Sequence, residues 1–265
     1  MRGYRFLAQP RWLALGFLVL LVVPSFFLLS RWQLTRLGDR EHSNDVIRTN
    51  GGAASVAVDE LMTPGAASDS VTDAQRWRMV SAEGHFDVAG ERIVRKRPYQ
   101  GANGFWVATP FVTSAGVVLV VDRGWIAATG GATSAQVIPA PPSGTVTLTG
   151  RIQPSEAAPT IQPTDLPTGQ ITDLNVELVA GTATHYPGFV TLVASEPAQD
   201  SGLTIRSLPA LDNGPHLSYA MQWIIFAAIA VAGFVLLVRR ERVYGDTTAR
   251  TDVGPAPAHD VLEDP

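Results

Sequence analysis

The sequence predicts a membrane protein in which two transmembrane helices flank an extracytoplasmic α+β domain rich in antiparallel strands, arranged as a sheet or small barrel. Three observations predict it. From Leu217 to Val238 the chain carries no charge over roughly 22 residues, and about 20 apolar residues of helix cross a bilayer core. A second uncharged run, Trp12 to Leu29, is about 18 residues long and just sufficient to span. Between them, from Arg76 to Glu196, short stretches of β-branched and aromatic residues alternate with turn-forming Gly, Pro, Asn and Ser. The expected order is a cytoplasmic N-terminus (1–11), a first span (12–29), an outer domain (30–216), a second span (217–238) and a disordered cytoplasmic tail (239–265).

The first span follows Arg2, Arg5 and Arg11 and contains Pro24, which is expected to bend it. A cleaved signal peptide also begins with basic residues and an apolar core, but no small-x-small cleavage pattern follows Leu29, so the segment reads as a retained anchor. Arg31, Arg36 and Arg40 beyond it weaken the charge bias for this helix. The second helix decides orientation. Arg239, Arg240 and Arg242 crowd its C-terminal end, which belongs in the cytoplasm, while His216, Tyr219, Gln222 and Trp223 suit the opposite membrane boundary. Two crossings then place both termini inside, in what reads as a bacterial plasma membrane, since no long transit peptide precedes the first span.

After Leu29 the stretch to Asn50 reads as a helical continuation, and His42 within it as solvated. Gly51 to Asp73, rich in Gly, Ala, Ser and Asp, reads as a mobile excursion with a turn at Pro64-Gly65 and a short helical turn over Val56 to Met62. Strands are expected over Trp77 to Asp87, Ile93 to Arg97, Phe105 to Phe111, Val117 to Val121, Thr145 to Ile152 and Phe189 to Ser195. Gln100 to Gly104 and Ser114 to Gly116 are hairpin loops, and Asp122-Arg123-Gly124 a corner leading to Trp125. Gly130 to Gly144 and Gln153 to Gly169 are expected to be exposed loops, and Ile171 to Leu178 a short amphipathic helix.

Composition excludes several functions. A formal charge of −4 carries no basic field for nucleic acid, and the absence of cysteine removes disulfides, thiolate catalysis and cysteine-ligated metals. No G-x-S-x-G elbow, P-loop, H-E-x-x-H pair or dinucleotide fingerprint occurs. No two of the five histidines lie three or four residues apart, and His85, beside Gly84, reads as structural. His216 differs by its address. It starts a membrane helix, with Tyr219 and Trp223 at i+3 and i+7, a pattern that serves either as an interfacial belt or as a haem-iron ligand in an aromatic cleft.

Several motifs carry a resemblance. Trp32-Gln33-x-x-Arg36, Arg95-x-Arg97-Pro98 through Gly104-Phe105, Thr109-Pro110-Phe111, Val121-Asp122-Arg123-Gly124-Trp125 and His216-Leu217-Ser218-Tyr219-Ala220-Met221-Gln222-Trp223 resemble, in this order, the Surfeit-locus-one family of cytochrome c oxidase assembly proteins. The resemblance implies a two-span membrane assembly factor, not a catalyst, that helps mature oxidase subunit one, with delivery or insertion of haem a as its task. It implies as partners subunit one, the enzymes of haem a synthesis and the lipid bilayer. It places a haem-iron ligand at His216; the residues themselves add Tyr219 and Trp223 on its helix, and Arg31 or Arg36, emerging from the first span on the same side, as partners for haem propionates. Asp122 stands where the family has asparagine, and Gly214-Pro215 where an asparagine often precedes the histidine. The alternative from another class is a membrane-anchored adaptor or sensor of the cell envelope that uses no haem; a hydrolase ranks below both.

Overall fold

The computed structural model describes residues 4–130, 136–158, 166–200 and 202–251, without side chains beyond residue 243. It divides into two units, residues 1–41 with 212–265 and residues 42–211.

The first unit is built on two helices, α1 (Pro10–Gly51), whose last turns belong to the second unit, and α3 (His216–Thr251). Both are long and apolar enough to cross a membrane. They run antiparallel, because contacts that ascend one descend the other. Trp12 meets Phe234 edge-on, Phe26 stacks on Trp223 at 5.5 Å, and Gln33 bonds His216. Small side chains make the close approach possible: Ser30, Ala220 and Ala227 are buried along the seam, and Gly16 lies beside Phe234. Outward, Leu13, Phe17, Leu20, Leu28, Ile225, Ile229 and Leu236 are exposed. Pro24 sits inside α1 without ending it. It removes one backbone donor, and next to it Ser25 Oγ donates to the Leu21 carbonyl at 2.8 Å. The charged stretch after Leu29 continues the helix as expected. The expected disordered tail is corrected in part: α3 continues past Arg239 to Thr251, and residues 252–265 lie outside the described residues.

The second unit is a small barrel. Its strands are β1 (Val56–Ala57), β2 (Met79–Phe86), β3 (Arg92–Val94), β4 (Gly104–Thr113), β5 (Val118–Ala127), β6 (Val146–Pro154), β7 (Gln170–Ile171) and β8 (His185–Glu196), with the helix α2 (Val176–Ala180) before β8. The sheet order is β1-β2-β6-β8-β5-β4-β3-β7, and β2 pairs in addition with β4, which closes β2, β6, β8, β5 and β4 on themselves. Closure turns on Gly84, opposite Val146 on one side and Thr113 on the other. A Cβ there would stand 2.1 Å from the Val112 carbonyl oxygen, so only glycine lets β4 come this near. The expected antiparallel sheet is mostly that, with three parallel exceptions, β1–β2, β3–β7 and β5–β8.

Strand β5 is buried along nearly its whole length because both faces are covered. Leu119 and Val121 point into the barrel with Phe111, Leu148, Ile152 and Val190. Val120 points outward and is covered by Val176 and Val179 of α2 together with Phe189. Asn175 starts α2 by accepting from the backbone N–H groups of Glu177 and Leu178. This helix is shorter than the expected Ile171 to Leu178, since Ile171 is taken by β7.

Three further expectations are corrected here. Gly51 to Asp73 is no free excursion: Val58 and Met62 are buried in the barrel core, and apolar burial outweighs the local Gly and Ser content. Gln153 and Pro154 belong to β6, not to an exposed loop. The Asp122 to Gly124 corner is a bulge inside β5, where the register against β4 shifts between Val107 and Ala108.

Tyr186, 1 % exposed, ties the 51–73 segment to β8 by donating its hydroxyl to the Asp59 carboxylate. Burial, and then Asp59, push its phenol above the ordinary 10.0. A raised folded value gives stability that is complete below pH 10.0 and lost as pH rises through the raised value. Thermal unfolding of wild type should therefore weaken with alkali in that window, and Tyr186→Phe should show a flatter alkaline limb while losing about 1 kcal/mol at neutral pH. Parallel alkaline limbs for the two proteins would deny Tyr186 this role.

Candidate functional site

His216 is the first residue of α3, half-buried, and its ring is fixed by α1: Nδ1 lies 2.8 Å from Gln33 Oε1. An amide oxygen only accepts, so with Gln33 oriented this way a neutral His216 ring donates from Nδ1 and keeps its lone pair on Nε2. Beside Nε2 the chain places Gly214 at φ +61, where an added Cβ would come within 3.4 Å of Nε2. Glycine at this position keeps a side chain from crowding Nε2.

The stripe of α3 facing α1 is His216, Ala220, Trp223 and Ala227, spaced four, three and four residues apart. His216 and Trp223 are thus brought to the same seam as expected. Tyr219 lies off that stripe and is 45 % exposed. Arg31 is exposed one position past the buried Ser30, and Arg36 is exposed with its guanidinium over the Trp32 ring and 3.9 Å from Asp39. The structure brings neither arginine into contact with His216. Gln33 was missed as a site residue. Its signal was its place seven residues after Phe26, on the stripe that also holds Ser30, where a polar side chain between two apolar helices calls for a partner.

A second assembly of polar groups lies within the barrel unit. Trp125 Nε1 donates to the Arg97 carbonyl at 2.7 Å, Arg97 pairs with Glu156, and the guanidinium groups of Arg97 and Arg206 lie 4.2 and 3.8 Å over the Trp106 ring. Arg206 pairs with Asp122, a carboxylate 0 % exposed, whose other oxygen accepts from Gly124 N at the bulge. Burial pushes the Asp122 carboxyl upward against the pull of Arg206. An aspartate at this bulge is explained by Arg206, which gives the buried carboxylate a cation. Of the other histidines, His85 is exposed on β2, and His42 is not merely solvated, since its Nε2 meets Asp73 at 2.8 Å. Among the described residues no group of three or more His, Asp or Glu side chains gathers as a metal site.

The family model described as the SURF1 family matches residues 20–228, from the first helix through the start of the second. The chain belongs to the SURF1 family. Curated relatives agree: an uncharacterised SURF1-like protein of Mycobacterium bovis is 32 % identical over 241 residues, covering 86 % of this chain and 83 % of that protein. Uncharacterised SURF1-like proteins from two strains of Mycobacterium tuberculosis match to the same extent. The SURF1 family is associated with cytochrome oxidase assembly, and its members are assembly factors and not known enzymes. The seam that fixes His216 and the Trp125 bulge both lie inside the matched span.

Proposed function

We propose that this SURF1-family protein is an assembly factor for haem-copper cytochrome c oxidase that receives haem a at His216 and assists its insertion into subunit one. The observation that carries the reading is the engagement of His216 Nδ1 by Gln33, which leaves Nε2 as a lone-pair donor beside a glycine. Iron ligation needs a neutral imidazole with one nitrogen free and the ring held by its other nitrogen. His216 would be the ligand, Gln33 its orienting partner, and Trp223, stacked on Phe26, part of an apolar wall. Haem, when bound, supplies redox-active iron as cargo. Tyr219 at the edge of the stripe and Arg31 and Arg36 on α1 are assigned to the periphery, where propionates meet guanidinium donors. The partners in this reading are subunit one and the enzymes of haem a synthesis; the family association supports involvement in oxidase assembly.

The two apolar helices serve as membrane spans in this reading, with the barrel outside and both termini in the cytoplasm of a bacterial cell. Reporters fused near Ala140 should be active outside and those fused after Tyr244 inside, following Arg239, Arg240 and Arg242. A cytoplasmic readout at Ala140 would reverse the topology.

The haem assignment is tested by purifying wild type, His216→Ala and Gln33→Leu after co-expression with haem a synthesis. Loss of an iron ligand should lower haem retention by about tenfold or more in His216→Ala, and loss of the partner that orients it should lower it on the order of tenfold in Gln33→Leu. Both variants should remain inserted and abundant, since neither side chain anchors a helix of this length. Equal haem content and an unchanged Soret position in His216→Ala would make His216 an interfacial anchor, and no haem on the wild-type protein itself would leave the alternative, an envelope adaptor without haem.

A further inference from the structure

The barrel unit holds a cavity of about 400 Å³ whose wall is rich in hydrogen-bond donors. Arg76, Trp77, Arg151, Gln153 and Arg206 contribute to its wall, and in each a buried nitrogen has no acceptor: Nε of the three arginines, Trp77 Nε1 and Gln153 Nε2. Gln153 is 8 % exposed, so solvent does not readily replace the missing acceptor. Glu156 is the acid in the wall, and it is already taken by Arg97 and by the Leu174 backbone N–H. Arg206 has Asp122, whereas Arg76 and Arg151 have no acidic partner among the described residues. Burial weakens the hold of Arg151 on its charge, the cost expected of a cation with no counter-ion.

A second observation lies in the backbone. Trp77 is held at φ +69, a region bulky residues avoid, by pairing of its N–H with Ile152 O at 2.9 Å and of Arg78 O with Ile152 N at 3.0 Å. This strained conformation keeps Trp77 at the cavity wall, which Trp106 and Phe189 also line. Such strain persists where a site is held in shape.

We propose that this cavity binds an amphiphilic anion, a phosphate or carboxylate head received by Arg76, Arg151 and Gln153 with its apolar body against Trp77 and Trp106. Two guanidinium groups, the amide nitrogen of Gln153 and an indole N–H are donors, the complement of an oxyanion, and charge-assisted bonds to guanidinium are the strong ones. The aromatic walls and the volume exceed what a bare inorganic ion needs. The head chemistry is shared by soluble organic acids and by anionic lipid headgroups, and the inference stands whether or not His216 ligates iron.

The test uses the full chain in nanodiscs, followed by tryptophan fluorescence and thermal unfolding at constant ionic strength. Inorganic phosphate and citrate are titrated in phosphatidylcholine discs, and phosphatidylglycerol discs are compared with phosphatidylcholine. A saturable response to phosphate or citrate, weakened about tenfold or more in both Arg151→Gln and Arg76→Gln, supports a soluble ligand. A response to phosphatidylglycerol alone, lost in the same variants, supports a lipid headgroup. The two arginines lie on different segments, so misfolding of one variant leaves the other as the test. No response of wild type to any probe, or equal responses in wild type and a folded variant, overturns the proposal.

Discussion

Gly124→Glu should remove most of the protein from the membrane, with folded stability lowered by about 3 kcal/mol or more. The residue sits at φ +141 in the bulge of β5, a conformation that L side chains rarely adopt. An added Cβ would stand 2.8 Å from the Thr204 carbonyl oxygen, and that oxygen accepts from Trp125 N at 2.9 Å while Thr204 N donates back to Trp125 O. A side chain at 124 therefore strains its own backbone and forces off the 204 segment. Arg206 follows two residues later, and its displacement leaves the buried Asp122 carboxylate without its cation. Gly124→Ala should show the same defect in smaller measure. Immunoblots of membranes and protease protection of the barrel unit measure both. Wild-type abundance of Gly124→Glu with impaired oxidase assembly would instead make the bulge a contact surface whose neighbours yield.

Glu91→Ala should cost about 3 to 5 kcal/mol, because it strands a buried cation. Arg123 is 0 % exposed, with Nη1 donating to Glu91 Oε2 at 2.8 Å and Nη2 to the Pro139 carbonyl at 2.8 Å. The same Glu91 oxygen accepts from Thr109 Oγ1 at 2.7 Å, and the Phe86 ring lies 5.7 Å from the guanidinium. Burial already works against the Arg123 charge and Glu91 offsets it. Removing the carboxylate leaves a charged group deep in the barrel with one carbonyl acceptor. Replacing both partners, Glu91→Ala with Arg123→Met, removes the charge as well as its acceptor. Denaturant unfolding of the double variant should then show a smaller loss than Glu91→Ala alone. A double variant at least as unstable as the single one would show that packing by the arginine stem, not its charge, carries the effect.

The two apolar helices and the outline of the strands were legible in the sequence because hydropathy and period 2 alternation are local signals. The expected Val117 to Val121 and Thr145 to Ile152 each begin one residue before β5 and β6 and otherwise lie within them, and His216 to Trp223 begins a helix as its pattern implies. The special standing of Gly124 was legible as a glycine between a buried strand and Trp125, although the turn expected there is a bulge. Gln33 was not legible as the partner of His216, because its role depends on which faces of two helices meet, 183 positions apart. Arg31 and Arg36 share its helix and its charge complement to propionates, but not its stripe.

By itself the sequence determined the two apolar helices, the strand-rich segment between them and the family, each carried by residues near one another in the chain. Closure of the barrel through Gly84, the parallel β5–β8 pairing and burial of Val58 and Met62 were decided only by the tertiary structure. So were the contact of His216 with Gln33 and the clustering of unpaired donors around Arg151. The physical reason is the same in each case. Pairing partners and burial are set by long-range packing, whose energy outweighs local propensity and leaves no periodic trace in the chain.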